Sequence, residues 1–589
     1  MDGAGADEEV LRRLEEYTRD APRRQLETLR AILDRNAGCG YLRGYLLPPS
    51  GHPADHAPPD AESFRRLVPV SSYDDYADHI QQMADGTGDT SALSSDPLVC
   101  FFYSSGTSST RPKMIPFFDS QPAKAASSLA HQASSALLRR LVPPRPTINR
   151  ILWFLYAGNV SVTRAGFKVM AASAFPFHSR GPNPSPSPMF SLCVSPQQVI
   201  MGTDTQQQTY CHLLCGLRNW HLIDGIRAPY AAGLVRAFRL LESKWEQLCE
   251  DIEHGTVSSE VTDPVMRDAV GDLLGGPRPE VAGRIREICG RGRWEGILRE
   301  LWAEVRYVSC VTTGTMEQYY HVLRYYAGSS VPLLCGDYFA SECSVGINMG
   351  RMLPPQETSF VILPTSTYFE FLPFDIGSTY LEKELVDISG LEIGKMYEVV
   401  VTTYRGFYRY RLGDVVRVVG FHNTSPRVEF VTRAPKDYSD VFTERDLMSA
   451  VESFQVMLRD NNMGDIVEYA GFSDSVSSPE HVIIFLEMGN RWMSLGENRL
   501  GVLVLKSACQ FLETSLGSVY KVKRTRGDLG PIEIAIVKPG SFNDLARVAV
   551  ENGAPANQYK PPKILRNRNF VDFLKASVTL SIKGLNLDE

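Results

Sequence analysis

Ten residues, Ser104-Ser105-Gly106-Thr107-Ser108-Ser109-Thr110-Arg111-Pro112-Lys113, combine hydroxyls, a glycine and a closing lysine. They follow the apolar run Leu98-Val99-Cys100-Phe101-Phe102-Tyr103, so a buried strand opens into a polar loop. Glycine lets backbone N–H groups approach an anion, the hydroxyls donate to it, and the lysine supplies charge. That is the chemistry of a phosphate cradle. No Gly-Lys-Ser/Thr follows at Walker A spacing, which points to a nucleotide held otherwise than in a P-loop NTPase.

Two further constellations carry chemistry. Tyr338-Phe339-Ala340-Ser341-Glu342 follows the apolar run Pro332-Leu333-Leu334-Cys335. A ring at a strand end can cover adenine, and a carboxylate there can bind magnesium on phosphates. The plain alternative is an aromatic packed in the core. In Tyr404-Arg405-Gly406-Phe407-Tyr408-Arg409-Tyr410-Arg411-Leu412-Gly413-Asp414, alternation puts Tyr408 and Tyr410 on one face and Arg409 and Arg411 on the other. Gly413-Asp414 then reads as a turn into Val415–Val419. An exposed Asp there can accept both ribose hydroxyls while an Arg neutralises phosphate; the alternative is a hairpin with a solvated Arg face. Cys211-His212 and Cys215 have the residue types of metal ligands, but their apolar helical setting predicts core packing.

These residues must be positioned by a chain of 589 residues, enough for two domains. Hydrophobic residues make up 43% and charged residues 22%, an ordinary globular mixture. A net charge of −7 gives no support for a nucleic-acid or anionic-membrane partner. The eleven cysteines form no CxxC pair, which predicts reduced thiols. The acidic N-terminus is no signal peptide, and no apolar run spans a bilayer. Together these features predict a soluble, cytoplasmic protein.

Residues 7–36 read as one helix, 52–62 as an exposed connector, and 97–103 as the strand before the loop. An Ala/Ser-rich helix follows over 120–141, and Gly181–Pro188 predicts a surface loop. Residues 207–253 and 263–302 read as mainly helical. Short strands are predicted at Tyr307–Val311, Pro332–Cys335, Ser359–Leu363, Glu398–Thr402 and Val415–Val419. After Thr432 the pattern restarts, with a helix at Arg445–Leu458 and strands at Glu468–Phe472, His481–Glu487 and Pro531–Val537. The reading is a large domain over 1–432, a hinge at 433–440, and a small α+β domain over 441–589.

Three such motifs in this order resemble those of the adenylate-forming enzymes, and specifically the plant auxin-responsive acyl acid amido synthetases. Leu274-Gly275-Gly276-Pro277-Arg278-Pro279-Glu280, Thr313-Gly314-Thr315-Met316, Tyr368-Phe369-Glu370-Phe371 and Asn557-Gln558-Tyr559-Lys560 extend the likeness over most of the chain. The resemblance implies an α/β fold like that of luciferases and acyl-CoA synthetases, with a small mobile C-terminal domain. It implies a monomer that uses ATP and Mg2+ to adenylate a carboxylic acid, then transfers the acyl group to an amino acid. Indole-3-acetic acid is the expected acid, with jasmonate or a benzoate or salicylate as alternatives. By motif match Ser104, Ser105, Gly106, Thr107 and Lys113 line the phosphates, with Arg411 facing them. Tyr338, Ala340 and Ser341 flank the adenine, Glu342 binds magnesium, and Asp414 holds the ribose. Lys560 enters the site during adenylation, and Thr313 and Met316 lie near the acyl group.

The chain departs from that pattern at Ser109-Thr110, where a second glycine is common, and at Phe339-Ala340, where one hydroxyl is lost. Asp440-Val441 stands where the family usually has Asp-Lys, which predicts a missing cation. Between Lys124 and Leu138 only His131 can carry positive charge, where relatives carry Arg. These departures keep open a degenerate, non-catalytic member that binds nucleotide or hormone.

Overall fold

The computed structural model describes residues 3–46, 60–104, 113–178, 188–374, 385–434, 441–474, 477–489, 492, 499–551 and 559–584. Three sheets build the first three-quarters of the chain. Leu98–Tyr103 pairs antiparallel with Met114–Phe118 and parallel with Lys168–Ala171, so both arms of the predicted phosphate loop are strands of one sheet. A parallel sheet is ordered Arg150–Trp153, Ile223–Tyr230, Tyr307–Val311, Leu333–Cys335. A seven-stranded antiparallel sheet carries the other two motifs on Tyr338–Phe339 and Tyr410–His422. The C-terminal residues add a four-stranded mixed sheet, Ile466–Asp474, His481–Met488, Glu533–Val537 and Val578–Lys583. It has an apolar cluster on each face. Its first helix, Glu444–Asp460, starts on a capping box made by Thr443 and Asp446.

The stretch expected as one N-terminal helix is two, Gly3–Arg19 and Ala21–Asn36. Pro22 explains the break: it has no N–H, and its ring would strike the carbonyl of Thr18. That carbonyl instead accepts from the backbone N–H (3.0 Å) and the hydroxyl (3.1 Å) of Thr424. The second helix is also fastened to residues far along the chain. Buried Gln25 donates to the carbonyls of Pro364 and Thr367, both at 2.7 Å, and accepts from the Phe369 N–H at 2.6 Å.

The region 207–253 also differs from expectation, because the strand Ile223–Tyr230 interrupts it. Gly225 and Pro229 are the residues that mark this strand in the sequence. A Cβ on Gly225 would come within 2.3 Å of the Tyr307 ring on the adjacent strand, so only glycine fits. The Ala/Ser-rich helix is present as Gln121–Leu141, capped by Ser120. Its Ala130 and Ala133 pack against Leu14, Ile347 and Leu363. All but the last residue of the loop read at 181–188, and most of the connector at 52–62, lie outside the described residues; Pro188 begins the short helix Pro188–Leu192.

Cys211, His212 and Cys215 are fully buried in the helix Thr205–Arg218, as their apolar setting predicted. His212 Nε2 donates to the Leu155 carbonyl at 3.1 Å, which leaves Nδ1 to accept from Ser195 Oγ at 2.7 Å. Burial holds this imidazole neutral, its pKa lowered to about 4 from 6.5. Because the folded state resists the proton that the unfolded chain accepts, stability should fall as pH drops from 6.5 to 4. The loss attributable to His212 should be about 3 kcal/mol. Denaturant midpoints measured across that window should show a shallower slope in His212→Gln; an identical slope would remove His212 as the cause. All eleven cysteines are free and buried. Among the described residues no helix is long and apolar enough to cross a membrane.

Candidate nucleotide site

The two strands that flank the predicted phosphate loop tie its ends together. Ser104 N–H donates to the Lys113 carbonyl at 2.9 Å, and Lys113 N–H donates to Ser104 Oγ at 3.1 Å. Ser105, Gly106, Thr107, Ser109 and Thr110 lie outside the described residues. Lys113 Nζ donates to the Tyr410 hydroxyl at 3.2 Å and sits 5.0 Å from the centre of the Tyr73 ring. Tyr410 in turn donates to Glu342 Oε1 at 3.4 Å. Burial raises the pKa of Glu342, with Lys113 the chief opposing influence. The same burial lowers Lys113, which Glu342 opposes. A lysine and a carboxylate from two distant motifs thus share one tyrosine.

Asp414 forms a second node. Its Oδ2 accepts from the Tyr338 hydroxyl at 2.5 Å, and its Oδ1 pairs with Arg433 at 2.7 Å. Arg433 is raised above its ordinary value, first by Asp414. The Tyr338 ring packs on Phe360 at 5.3 Å and on Phe430 at 6.3 Å. Ala340 and Ser341 form the bend after it, with Ala340 N–H donating to the Cys343 carbonyl at 2.9 Å. Phe339 is exposed and lies 5.0 Å from the His131 ring, whose pKa burial lowers.

The third motif differs in detail from its sequence reading. Gly413-Asp414 is no turn: both sit inside the continuous strand Tyr410–His422. Gly413 takes φ +79°, and the register with Met396–Thr402 slips there, so this is a bulge that re-aims Asp414. Strict alternation also fails at Arg409, whose φ is +48°. Arg409 is buried rather than solvated, forked onto Glu370 at 3.0 and 2.9 Å. Arg411 grips Glu398 at 2.6 Å. Thr313 precedes the short helix Gly314–Tyr319, within which Met316 is buried in the core beside the parallel sheet.

Lys560 stands 4.4 Å over the Tyr230 ring. Nearby, Lys563 is fully buried and pairs with Glu468, which also accepts from Tyr319. The carboxylate of Glu444, raised by burial, is stabilised by Arg433 first and then by Arg566, Lys560 and Lys563. The C-terminal residues therefore reach the second node through charge. Val441 is buried in the C-terminal core, so that position holds no cation; Asp440 lies outside the described residues. Sequence reasoning missed Tyr73, Arg433, Tyr319, Glu468 and Lys563. Lone charged residues in apolar runs, as in Val431-Thr432-Arg433, were the available signal.

A four-sheet α/β chain with these nodes has the architecture of adenylate-forming enzymes. 2-Hydroxyisobutyryl-CoA ligase superposes with a TM-score of 0.50 over 94% of this chain and 92% of its own, at 11% identity, a likeness of fold alone. The GH3 family N-terminal domain matches residues 10–333, the central domain 360–433 and the C-terminal domain 445–569. The chain belongs to the GH3 family. The probable indole-3-acetic acid-amido synthetase GH3.6 of Oryza sativa subsp. japonica is 51% identical over 405 residues, covering 67% of this chain and 82% of that protein. The jasmonoyl–L-amino acid synthetase GH3.5 of the same organism is 34% identical over 592 residues, 98% of both chains. The solved GH3.15 acyl acid amido synthetase has a TM-score of 0.84 and 32% identity, covering 98% of this chain and 97% of its own.

Proposed function

We propose that this chain is an acyl acid amido synthetase that activates a carboxylic acid with ATP and joins it to an amino acid. The observation that carries the reading is the convergence of Lys113, Tyr410 and Glu342 beside Tyr338, Asp414 and Arg433 in a chain of this family. Indole-3-acetic acid is the first candidate acid and jasmonate the second, because relatives named for each align over most of the chain.

In the first step a carboxylate oxygen attacks the α-phosphorus of ATP, and pyrophosphate leaves. In the second the amine attacks the acyl carbonyl, AMP leaves, and the amine gives up a proton. The barrier to the first step is the meeting of two anions, which fixed positive charge offsets. Lys113 supplies that charge at the phosphate loop, with Ser104, Ser105, Gly106 and Thr107 as donors. Asp414 accepts the ribose hydroxyls, and Tyr338, Ala340 and Ser341 flank the adenine. Arg411 contributes to the field from its place on Glu398, and Lys560 enters from the C-terminal domain. Thr313 and Met316 border the acyl side. Glu342 suits Mg2+, being a buried carboxylate whose one side-chain hydrogen bond among the described residues comes from Tyr410; the ion would screen the phosphates. Residues 1–432 form the substrate-binding domain, 433–440 the hinge and 441–589 the moving domain of a cytoplasmic monomer.

The buried Val441 favours a second reading, a member that binds nucleotide without conjugating. Pyrophosphate release with ATP, Mg2+ and a panel of indole-3-acetic, jasmonic and benzoic acids separates the two. Acid-dependent release, followed by amino-acid-dependent AMP, is the expected result. Silence across the panel with ATP still bound would establish the non-catalytic reading.

A further inference from the structure

Among the described residues Arg405 forms no ion pair, although the Glu342 carboxylate lies near enough to act on its charge. Arg405 follows the strand Met396–Thr402 and lies against the second motif. A guanidinium carries five N–H donors. Among the described residues the guanidinium of Arg405 makes one hydrogen bond, from Nη1 to the Ser341 carbonyl at 3.0 Å. Its plane rests on Phe117 at 4.9 Å and Phe102 at 5.8 Å, the strand residues that lead into and out of the phosphate loop. Burial lowers its pKa, so the surroundings leave its charge poorly compensated. Its neighbours in sequence are built differently. Arg409 is saturated by Glu370 and the Val68 carbonyl, and Arg411 by Glu398. A part-buried guanidinium is costly unless something pairs with it.

Arg405 lines a cavity of about 20 Å³ together with Ser127, Glu342, Ser366, Thr367 and Thr403. That is room for one oxygen atom of a larger group, between walls that mix polar and apolar atoms. One wall carries a second unmet group: Thr367 is fully buried, and its hydroxyl makes no hydrogen bond of good geometry, with only the Cys343 thiol beside it. Arg405 and Thr367 thus line one small space at the base of the site, which the Glu342 carboxylate also borders.

We propose that Arg405 and Thr367 bind an oxyanion of the substrates, a phosphate of the nucleotide or the carboxylate of the acyl acid. This rests on the adenylating reading for its choice of substrates, but anion capture can be measured without turnover. A bidentate guanidinium–oxyanion pair is planar and directional, so lysine replaces it poorly.

The test is calorimetric binding of inorganic pyrophosphate and of indole-3-acetate to the whole chain, for the natural protein, Arg405→Met and Arg405→Lys. A melting temperature for each variant confirms that it is folded. The expected result is at least 10-fold weaker binding of one anion in Arg405→Met, with partial recovery in Arg405→Lys. Loss confined to pyrophosphate assigns the phosphate, and loss confined to indole-3-acetate assigns the carboxylate. Natural affinity of Arg405→Met for both anions overturns the proposal, as does a natural protein that binds neither. If the natural protein binds pyrophosphate through Arg405 but releases none from ATP with any acid, the adenylating reading falls and this one stands.

Discussion

Asp414→Asn is expected to bind ATP about 10- to 100-fold more weakly than the natural protein, from the loss of charge-assisted bonds to two ribose hydroxyls. The substitution keeps the shape of the side chain and removes its charge. Each carboxylate oxygen can accept two hydrogen bonds. In the structure one bond on each is taken, by Tyr338 at 2.5 Å and by Arg433 at 2.7 Å, which fixes the carboxylate and leaves acceptor capacity toward the nucleotide. The amide also turns a donor toward Tyr338 or Arg433, so the node loses part of its own order. The deciding comparison uses 2′,3′-dideoxy-ATP. The natural protein should bind that analogue about as weakly as Asp414→Asn binds ATP, and the variant should not distinguish the two nucleotides. A variant that still prefers ATP over the analogue by the natural factor would place the ribose elsewhere.

The second large effect concerns how the C-terminal sheet is held. Lys563 is fully buried, its ammonium against Glu468, with the Tyr469 ring 4.0 Å away and the Tyr469 carbonyl at 3.2 Å. Tyr319, from the short helix after Tyr307–Val311, donates to the same carboxylate. Lys563→Met leaves that carboxylate buried without its cation, a loss expected to cost about 3–5 kcal/mol. Lys563→Met/Glu468→Gln removes both charges and should recover more than half of it. Hydrogen exchange at the amides of Ile466–Asp474, read beside denaturant unfolding, checks this. If the single variant is as stable as the natural protein, or if the double variant is worse than the single, the pair is not what holds this region. Because Tyr319 lies in the stretch that matches the GH3 family N-terminal domain, the single variant should also weaken its contact with the C-terminal residues.

Much of this was legible in the sequence, for reasons that differ by residue. Lys113, Glu342, Tyr338 and Asp414 lie in short motifs whose residue types announce their chemistry, and the structure sets them within two linked nodes. The C-terminal helix followed from its periodicity, and the strands from short apolar runs that are buried on both faces of the sheet. What was not legible depended on contacts between distant segments. The strand Ile223–Tyr230 hid among helices because its glycine has meaning only beneath Tyr307. The bulge at Gly413 looked like a turn because local sequence cannot show that the next strand continues the ladder. Arg409 and Arg411 looked like a solvated face because their partners, Glu370 and Glu398, lie on neighbouring strands of the sheet. Arg405 stood beside them in the same motif, and only the count of its acceptors sets it apart.

The proline break between the first two helices has a consequence for synthesis. Thr18 and Ala21 both bond to Thr424, and Glu15 bonds to His422, more than 400 positions later in the chain. A ribosome adding about 5–20 residues per second needs roughly 20–80 s to cover that gap. During that time residues 3–36 have amphipathic faces, and Gln25 has nothing to receive it. These two helices are completed only once residues 422–424 have followed them, so for that interval they depend on other means to keep their apolar faces apart.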